Sequence, residues 1–243
     1  MEIINLLAIF VITLLTRIMT VTTGGGGMIL IPLLIFFGLP PSQAIATNRV
    51  GGLSSNVAIL KFHKHGKVKW KLGVSLIIPT LIGAIAGASI VVNIDQDLFK
   101  KLLGSVILIS LLLLTQRGKI GIKGKKISKG RFIAGWFLTI LASFLGGMFA
   151  STGVWFTYVY LFLGLTFLQS AATRKITGPM INLSSLVIFW FAGLINWQVA
   201  GAMFLASAIG AWIGAGIGLK LGNIWIKRLF IFFAVLSALK LIF

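Results

Sequence analysis

Apolar runs separated by brief polar clusters occupy almost the whole chain, near residues 3 to 22, 28 to 38, 41 to 60, 72 to 92 and 98 to 115, then 132 to 149, 153 to 165, 168 to 192, 198 to 219 and 226 to 243. Many approach the roughly 20 residues that a helix needs to cross a bilayer. The pattern predicts an all-α polytopic membrane protein. One run is too short for that. Met28 to Phe37, at 1.5 Å per residue, covers only about 15 Å of a roughly 30 Å hydrocarbon layer. It is therefore expected to be a half-helix, re-entrant or broken, or to join its neighbours through unwound backbone. The four consecutive glycines before it, Gly24, Gly25, Gly26 and Gly27, would each cost a continuous helix roughly 1 kcal/mol. Non-helical backbone at membrane depth survives only where protein or water surrounds it. Thr22 to Gly27 is thus expected to line a cavity.

The second half of the chain repeats the first. "GLPPSQAIATNRV" (Gly38 to Val50) falls on "GLTFLQSAATRKI" (Gly164 to Ile176), so that Gly27, Gln43, Ala46, Thr47, Gly52 and Asn56 fall on Gly153, Gln169, Ala172, Thr173, Gly178 and Asn182. After a one-residue insertion Trp70 falls on Trp197, and "GAIAGASI" (Gly83 to Ile90) on "GAWIGAGI" (Gly210 to Ile217). Chance apolar similarity would not align Gln, Thr, Asn and Trp together. With about five segments per copy, the second copy enters the membrane from the opposite face, which makes an inverted repeat. The expected organisation is a first membrane repeat at 1–116, a basic cytoplasmic linker at 117–131 and a second, inverted membrane repeat at 132–243. Such repeats are typical of transporters, with sites near the midplane where discontinuous helices meet. Two packed helical bundles without a pathway are the plainer alternative.

Composition agrees with a membrane protein and narrows its chemistry. Apolar residues make up 58% of the 243, charged residues only 10%, and mean hydropathy is +1.07. Soluble proteins carry about 25% charged residues. The net charge of +19 could suggest a nucleic-acid partner, but most of the basic residues, fifteen of the 22, cluster in three short loops. They are Lys61, Lys64, Lys67, Lys69 and Lys71; Arg117, Lys119, Lys123, Lys125, Lys126, Lys129 and Arg131; and Lys220, Lys227 and Arg228. Basic short loops mark the cytoplasmic side. The turns at Asn93 to Asp97 and Gly193 to Asn196 then lie outside, as do both termini. Trp70 and Trp197 would anchor at the inner and outer interfaces. Cysteine is absent, which removes disulfides, thiolate metal sites and cysteine nucleophiles.

The polar residues inside the runs are the candidate chemistry. Arg49 lies near the middle of its run, where a basic side chain costs about 2.5–3.5 kcal/mol on insertion scales and should face a polar interior. Lys175 occupies the equivalent position in the second copy. The only carboxylates, Glu2, Asp95 and Asp97, lie at an end or in a turn, so the partner of Arg49 is expected to be a bound anion, backbone carbonyls or water. For Arg174, snorkelling to an interface is the competing reading. Glycine-rich starts of short helices would add backbone donors at Gly24 to Gly27 and at Ser151, Thr152 and Gly153, where the helix dipole favours an anion. Neutral groups complete the candidate set: Gln43, Thr47, Asn48, Asn56, Gln169, Thr173 and Asn182. Any of these could instead tie helices together. His63 and His65 sit among lysines, with no carboxylate or cysteine cluster to make a metal site. No catalytic residues, metal or cofactor are expected.

At the glycine run, Pro32, Gly38 and Ala44 to Thr47, with a second copy at Gly146 to Gly153, Gly164 and Ser170 to Thr173, the chain resembles the TauE/SafE family of sulfite exporters and related anion permeases. The likeness covers nearly the full length, although the second copy carries "ASTG" where the first has its glycines. The residues alone point to a small-anion transporter. The resemblance implies sulfite, sulfonates such as sulfoacetate, or other small anions, moved across a prokaryotic plasma membrane. Arg49 and Lys175 would neutralise the substrate, and one repeat would rock against the other. An anion channel with the same site, or a membrane enzyme acting on a phosphorylated lipid, are the alternatives. The expected partners are a small anionic substrate and the bilayer, with a homodimer left open.

Overall fold

A computed structural model describes residues 3–21, 25–115, 128–150 and 152–220. All regular structure among them is helical. In order the helices are α1 (Ile3–Thr20), α2 (Gly26–Phe36), α3 (Pro41–Ser54), a 3-10 turn (Ser55–Val57), α4 (Ala58–Lys64), α5 (Trp70–Ser75), α6 (Ile77–Asn93) and α7 (Gln96–Thr115). After them come α8 (Lys129–Phe149), α9 (Thr152–Phe162), α10 (Phe167–Phe191) and α11 (Trp197–Lys220). The expected last run at 226 to 243 and linker residues 117–127 lie outside the described residues. The end of the expected linker is helix, since α8 starts at Lys129 behind a Ser128 cap whose hydroxyl accepts from the Arg131 N–H.

Helices α1, α8 and α11 are long and apolar enough to span a bilayer, while α9 and α10 form a pair bent by 118°. Helix α2 has 11 residues, like α9, so the short run does form a half-length helix. Lipid is as apolar as leucine, so amphipathic helices in a membrane turn their polar face inward. On α1, Ile4, Leu7, Val11 and Leu15 point outward, each more than half exposed, while Thr13, Thr16 and Thr20 are buried. The largest apolar core gathers residues of α2 (Met28, Ile31, Leu34) and of α7 (Phe99, Leu103, Ile107) in one cluster.

Backbone contact between helices is what small residues permit here. Helix α6 lies along α8, and α1 along α11. A Cβ on Gly83 or Gly87 would come within 3.0 Å of the carbonyl oxygens of Ile140 and Phe144 on α8. A Cβ on Gly210 or Gly214 would come equally close to the carbonyls of Leu14 and Ile18 on α1. At the offset that aligns the two sequence copies, these are the same contacts with the halves exchanged. The turns repeat as well. Gly38 (φ +90°) and Gly164 (φ +84°) end α2 and α9, and Gly66 (φ +63°) and Gly193 (φ +67°) end α4 and α10. The residue after each glycine donates to the carbonyl five positions back, as Leu39 does to Leu34 and Leu165 to Tyr160. This is the Schellman closure, which needs a left-handed residue and selects glycine.

Adding one methyl at the buried crossings should be costly. Gly87→Ala and Gly214→Ala are expected to lower stability by about 1–3 kcal/mol, the usual scale of overpacking. Gly201, on α11 with nothing within 4 Å of its missing Cβ, should accept alanine without loss. Thermal unfolding of the three variants in detergent checks the contrast.

Candidate functional site

The glycine run breaks the chain between α1 and α2. Gly25 caps α2 with its backbone and accepts from the Met28 N–H at 2.9 Å. Gly26 and Gly27 then sit where no side chain fits. A Cβ on Gly26 would lie 2.9 Å from Thr20 Oγ1 and 3.0 Å from Arg17 Nη1, and one on Gly27 would collide with the carbonyl of Ala150. Ala150 closes α8 in the left-handed conformation at φ +50°, a strained state for a residue with a Cβ. Two chain breaks, one from each half, therefore meet face to face. Gly24 and Ser151 lie outside the described residues.

A polar cavity of about 80 Å³ opens at this meeting point. Water takes about 30 Å³ in the liquid, so the space suits a few waters or one compact polyatomic ion. The end of α1 contributes Arg17 and Thr20, α2 its first two glycines, and α3 with the 3-10 turn Asn48, Ser55 and Asn56. From the second half come Ala150, then Arg174, Lys175 and Asn182 of α10. Three cationic side chains thus converge on one small space. Among the described residues no carboxylate joins them, because Asp95 and Asp97 stand at the α6–α7 turn, where Asp95 accepts from the Leu98 N–H.

Each cation is held by neutral acceptors, and each holds on to the other half. Arg17 donates from Nε to Ser207 Oγ at 3.1 Å and from Nη2 to Asn48 Oδ1 at 2.9 Å. Arg174 donates to the carbonyls of Gly153 (2.6 Å) and Val21 (3.4 Å). The ammonium of Lys175 donates to the Ser55 carbonyl at 3.2 Å. Arg174 is only 6% exposed, so it does not snorkel to an interface. Its bond to Gly153 means that this glycine offers an acceptor to a cation here.

Arg49 lies apart from the other three cations. It is 1% exposed, outside the cavity wall, and donates from Nη2 to the carbonyls of Gly146 (2.7 Å) and Gly147 (2.5 Å). Those carbonyls belong to the last turn of α8, where a cation meets the negative end of the dipole; the Gly146 carbonyl also accepts from the Ala150 N–H at 3.1 Å. Backbone carbonyls, one of the three partners foreseen for it, are the ones it uses. The ring of Phe189 lies 6.0 Å from its guanidinium carbon.

The neutral candidates divide between cavity and scaffold. Asn48, Asn56 and Asn182 line the cavity. Thr47 Oγ1 accepts from the backbone N–H of Asn196 at 3.1 Å, and Thr173 Oγ1 from that of Lys69 at 3.0 Å. These are again one contact with the halves exchanged, each threonine holding the residue just before a helix of the other half. Gln169 forms a capping box with Thr166 at the start of α10. Gln43 occupies the corresponding third position of α3 and is absent from the wall. Thr152 opens α9.

Arg17 is the residue that reading the sequence missed. Its signal was available: it is a basic residue inside the apolar run at 3 to 22, which carries the same desolvation cost as Arg49. The repeat does not flag it, because its counterpart is Ser143. That serine donates to the Pro79 carbonyl at 3.2 Å and so binds α8 to α6, as Arg17 binds α1 to α11.

The model of the sulfite exporter TauE/SafE family matches residues 9–241. The chain belongs to that family. It is 28% identical over 237 residues to the probable membrane transporter protein ORF9 of a Sinorhizobium species, covering 96% of this chain and 91% of that protein. A probable membrane transporter protein of Haemophilus influenzae is 28% identical over 244 residues, at 99% and 96% coverage. The probable membrane transporter protein YfcA of Escherichia coli K12 is 22% identical over 245 residues, at 97% and 88%. No solved structure matches the chain significantly. This TauE/SafE protein is thus a membrane transporter, and Arg17, Arg174 and Lys175 line its cavity together with Asn48, Asn56 and Asn182.

Arg49 acts within the TauE/SafE scaffold as a clamp on α8. Replacing it by alanine removes the charged donor from both carbonyls, although Gly146 keeps the Ala150 N–H, and Arg49→Ala is expected to lower stability by roughly 1.5–3 kcal/mol, the range for hydrogen bonds from a charged donor. Urea or thermal unfolding in detergent measures the loss.

Proposed function

We propose that this protein carries small sulfur-containing anions, sulfite and sulfonates such as sulfoacetate, across a prokaryotic plasma membrane, and that they bind in the cavity between the two halves. The observation that carries this reading is the convergence of Arg17, Arg174 and Lys175 on one space that no described carboxylate shares. Buried cations without a counter-charge are costly and mark substrate pathways. The family's sulfite exporter name supports a sulfur oxyanion. Arg17, Arg174 and Lys175 neutralise the charge, while Asn48, Asn56 and Asn182 donate to or orient the oxygens. At about 80 Å³ the cavity admits a pyramidal ion such as sulfite directly.

Alternating access follows from the repeated architecture. The exchanged contacts of Thr47 and Thr173, and of the glycines on α6 and α11, are what two copies of opposite orientation would make about a site at their junction. In this reading the basic loop carrying Lys61 to Lys71 faces the cytoplasm, and one half rocks against the other to open the cavity to each side in turn.

Binding of sulfite and of a sulfonate panel to purified protein tests the assignment. Arg17→Gln and Arg174→Gln are each expected to weaken sulfite binding by about tenfold or more, the effect of losing a charge-assisted hydrogen bond. Unchanged affinity in both variants would remove the cavity as the site. Saturable uptake with counterflow in liposomes would separate a carrier from a channel built on the same cavity.

A further inference from the structure

We propose that the protein is an obligatory anion exchanger: its halves reorient readily only when the cavity holds an anion, so that one anion leaves for each that enters. The proposal rests on the reading of the cavity as the transport site. Two of the three cavity cations are guanidinium groups, which do not deprotonate in proteins. Their acceptors are all neutral: Asn48 Oδ1, Ser207 Oγ and the carbonyls of Gly153 and Val21. Lys175 adds a third cation, held by the Ser55 carbonyl. Dipoles of this kind solvate a charge but do not cancel it.

Any alternating carrier passes through a state closed to both sides. There the empty cavity would hold mutually repelling cations in a low dielectric with water withdrawn, whereas a bound oxyanion would neutralise most of that charge. The bonds that tie these cations down raise the same barrier. Arg17 of the first half is bound to Ser207 of the second, and Arg174 and Lys175 of the second half are bound to Val21 and Ser55 of the first. Rocking one half against the other pulls on all three bonds together. An anion held between the cations supplies the acceptors that the opposite half gives up. A carboxylate at the site could cancel cationic charge as an internal ion pair, and no described residue of this cavity supplies one; a buried lysine such as Lys175 can shed its proton, but the guanidinium groups of Arg17 and Arg174 keep their charge. The empty form is therefore the slow one to cross, which converts a uniporter into an exchanger.

The test is uptake of radiolabelled sulfite by liposomes containing the purified full-length protein, filled either with unlabelled sulfite or with an impermeant zwitterionic buffer. Internal sulfite is expected to accelerate uptake by about tenfold or more. Equal rates under the two conditions would overturn the proposal, as would rapid uptake into anion-free vesicles driven by a pH gradient alone. Absence of uptake under both conditions, together with absence of sulfite binding in detergent, would instead overturn the transport-site reading and the exchange with it. Arg17→Gln keeps a hydrogen-bonding side chain but removes one charge. A variant that remains monodisperse in gel filtration and binds sulfite should show a smaller ratio of exchange to net uptake. An unchanged ratio in that variant would show that cavity charge does not enforce exchange.

Discussion

Four buried or half-buried cations, held by carbonyls, a hydroxyl and an amide instead of carboxylates, are the constraint around which this molecule is built. A charge in a membrane interior requires compensation, and neutral acceptors can supply it only if several are brought close. That demand draws the two halves together. Arg17 reaches Ser207, Arg49 reaches Gly146 and Gly147, Arg174 reaches Val21, and Lys175 reaches Ser55. Each bond crosses from one half of the chain to the other. Arg49 and the remaining three nevertheless divide by position, since Nη2 of Arg49 is bound to a helix end while the others border open space.

Glycine makes these approaches geometrically possible. Between helices in lipid there is little hydrophobic driving force, so close van der Waals contact and backbone proximity have to hold them. Gly83, Gly87, Gly210 and Gly214 admit carbonyls of the facing helix, and Gly27 admits the carbonyl of Ala150. Gly26 has a second consequence, because the space of its missing side chain is the space beside Thr20 and the Arg17 guanidinium. The glycine break thus makes room for a cation, and it is Arg17 that uses it.

Much of the architecture was legible in the chain, because a bilayer translates composition into structure with few alternatives. Apolar run lengths located the helices, and the run from Met28 to Phe37 was too short to cross and forms the half-length α2. The paired motifs Gly38 to Val50 and Gly164 to Ile176 announced contacts that do occur in exchanged form, such as Thr47 with Asn196 and Thr173 with Lys69. Asn48, Asn56, Asn182, Arg174 and Lys175 were readable as cavity residues because polar groups in apolar runs need an interior. Arg17 was not, since it lacks a polar counterpart of like charge in the second copy. Gln169 and the two threonines were read as ligands for the same reason that the asparagines were, and only their neighbours distinguish them.

The sequence by itself determined that this is an all-helical membrane protein with a broken segment, a repeated plan and interior cations that outnumber its acids. Those properties follow from residue type, run length and order, each of which acts locally or through the uniform solvent of the bilayer. Which cations face the cavity and which one clamps a helix end was decided by tertiary structure alone. Arg49 and Arg174 are chemically identical, and the choice between an anion and a carbonyl depends on the acceptors within about 3 Å of each guanidinium. For Arg49 those acceptors are Gly146 and Gly147 of the opposite half of the chain, 97 and 98 residues away, whereas Arg174 makes its short bond to Gly153, 21 residues away, and no local pattern encodes that difference.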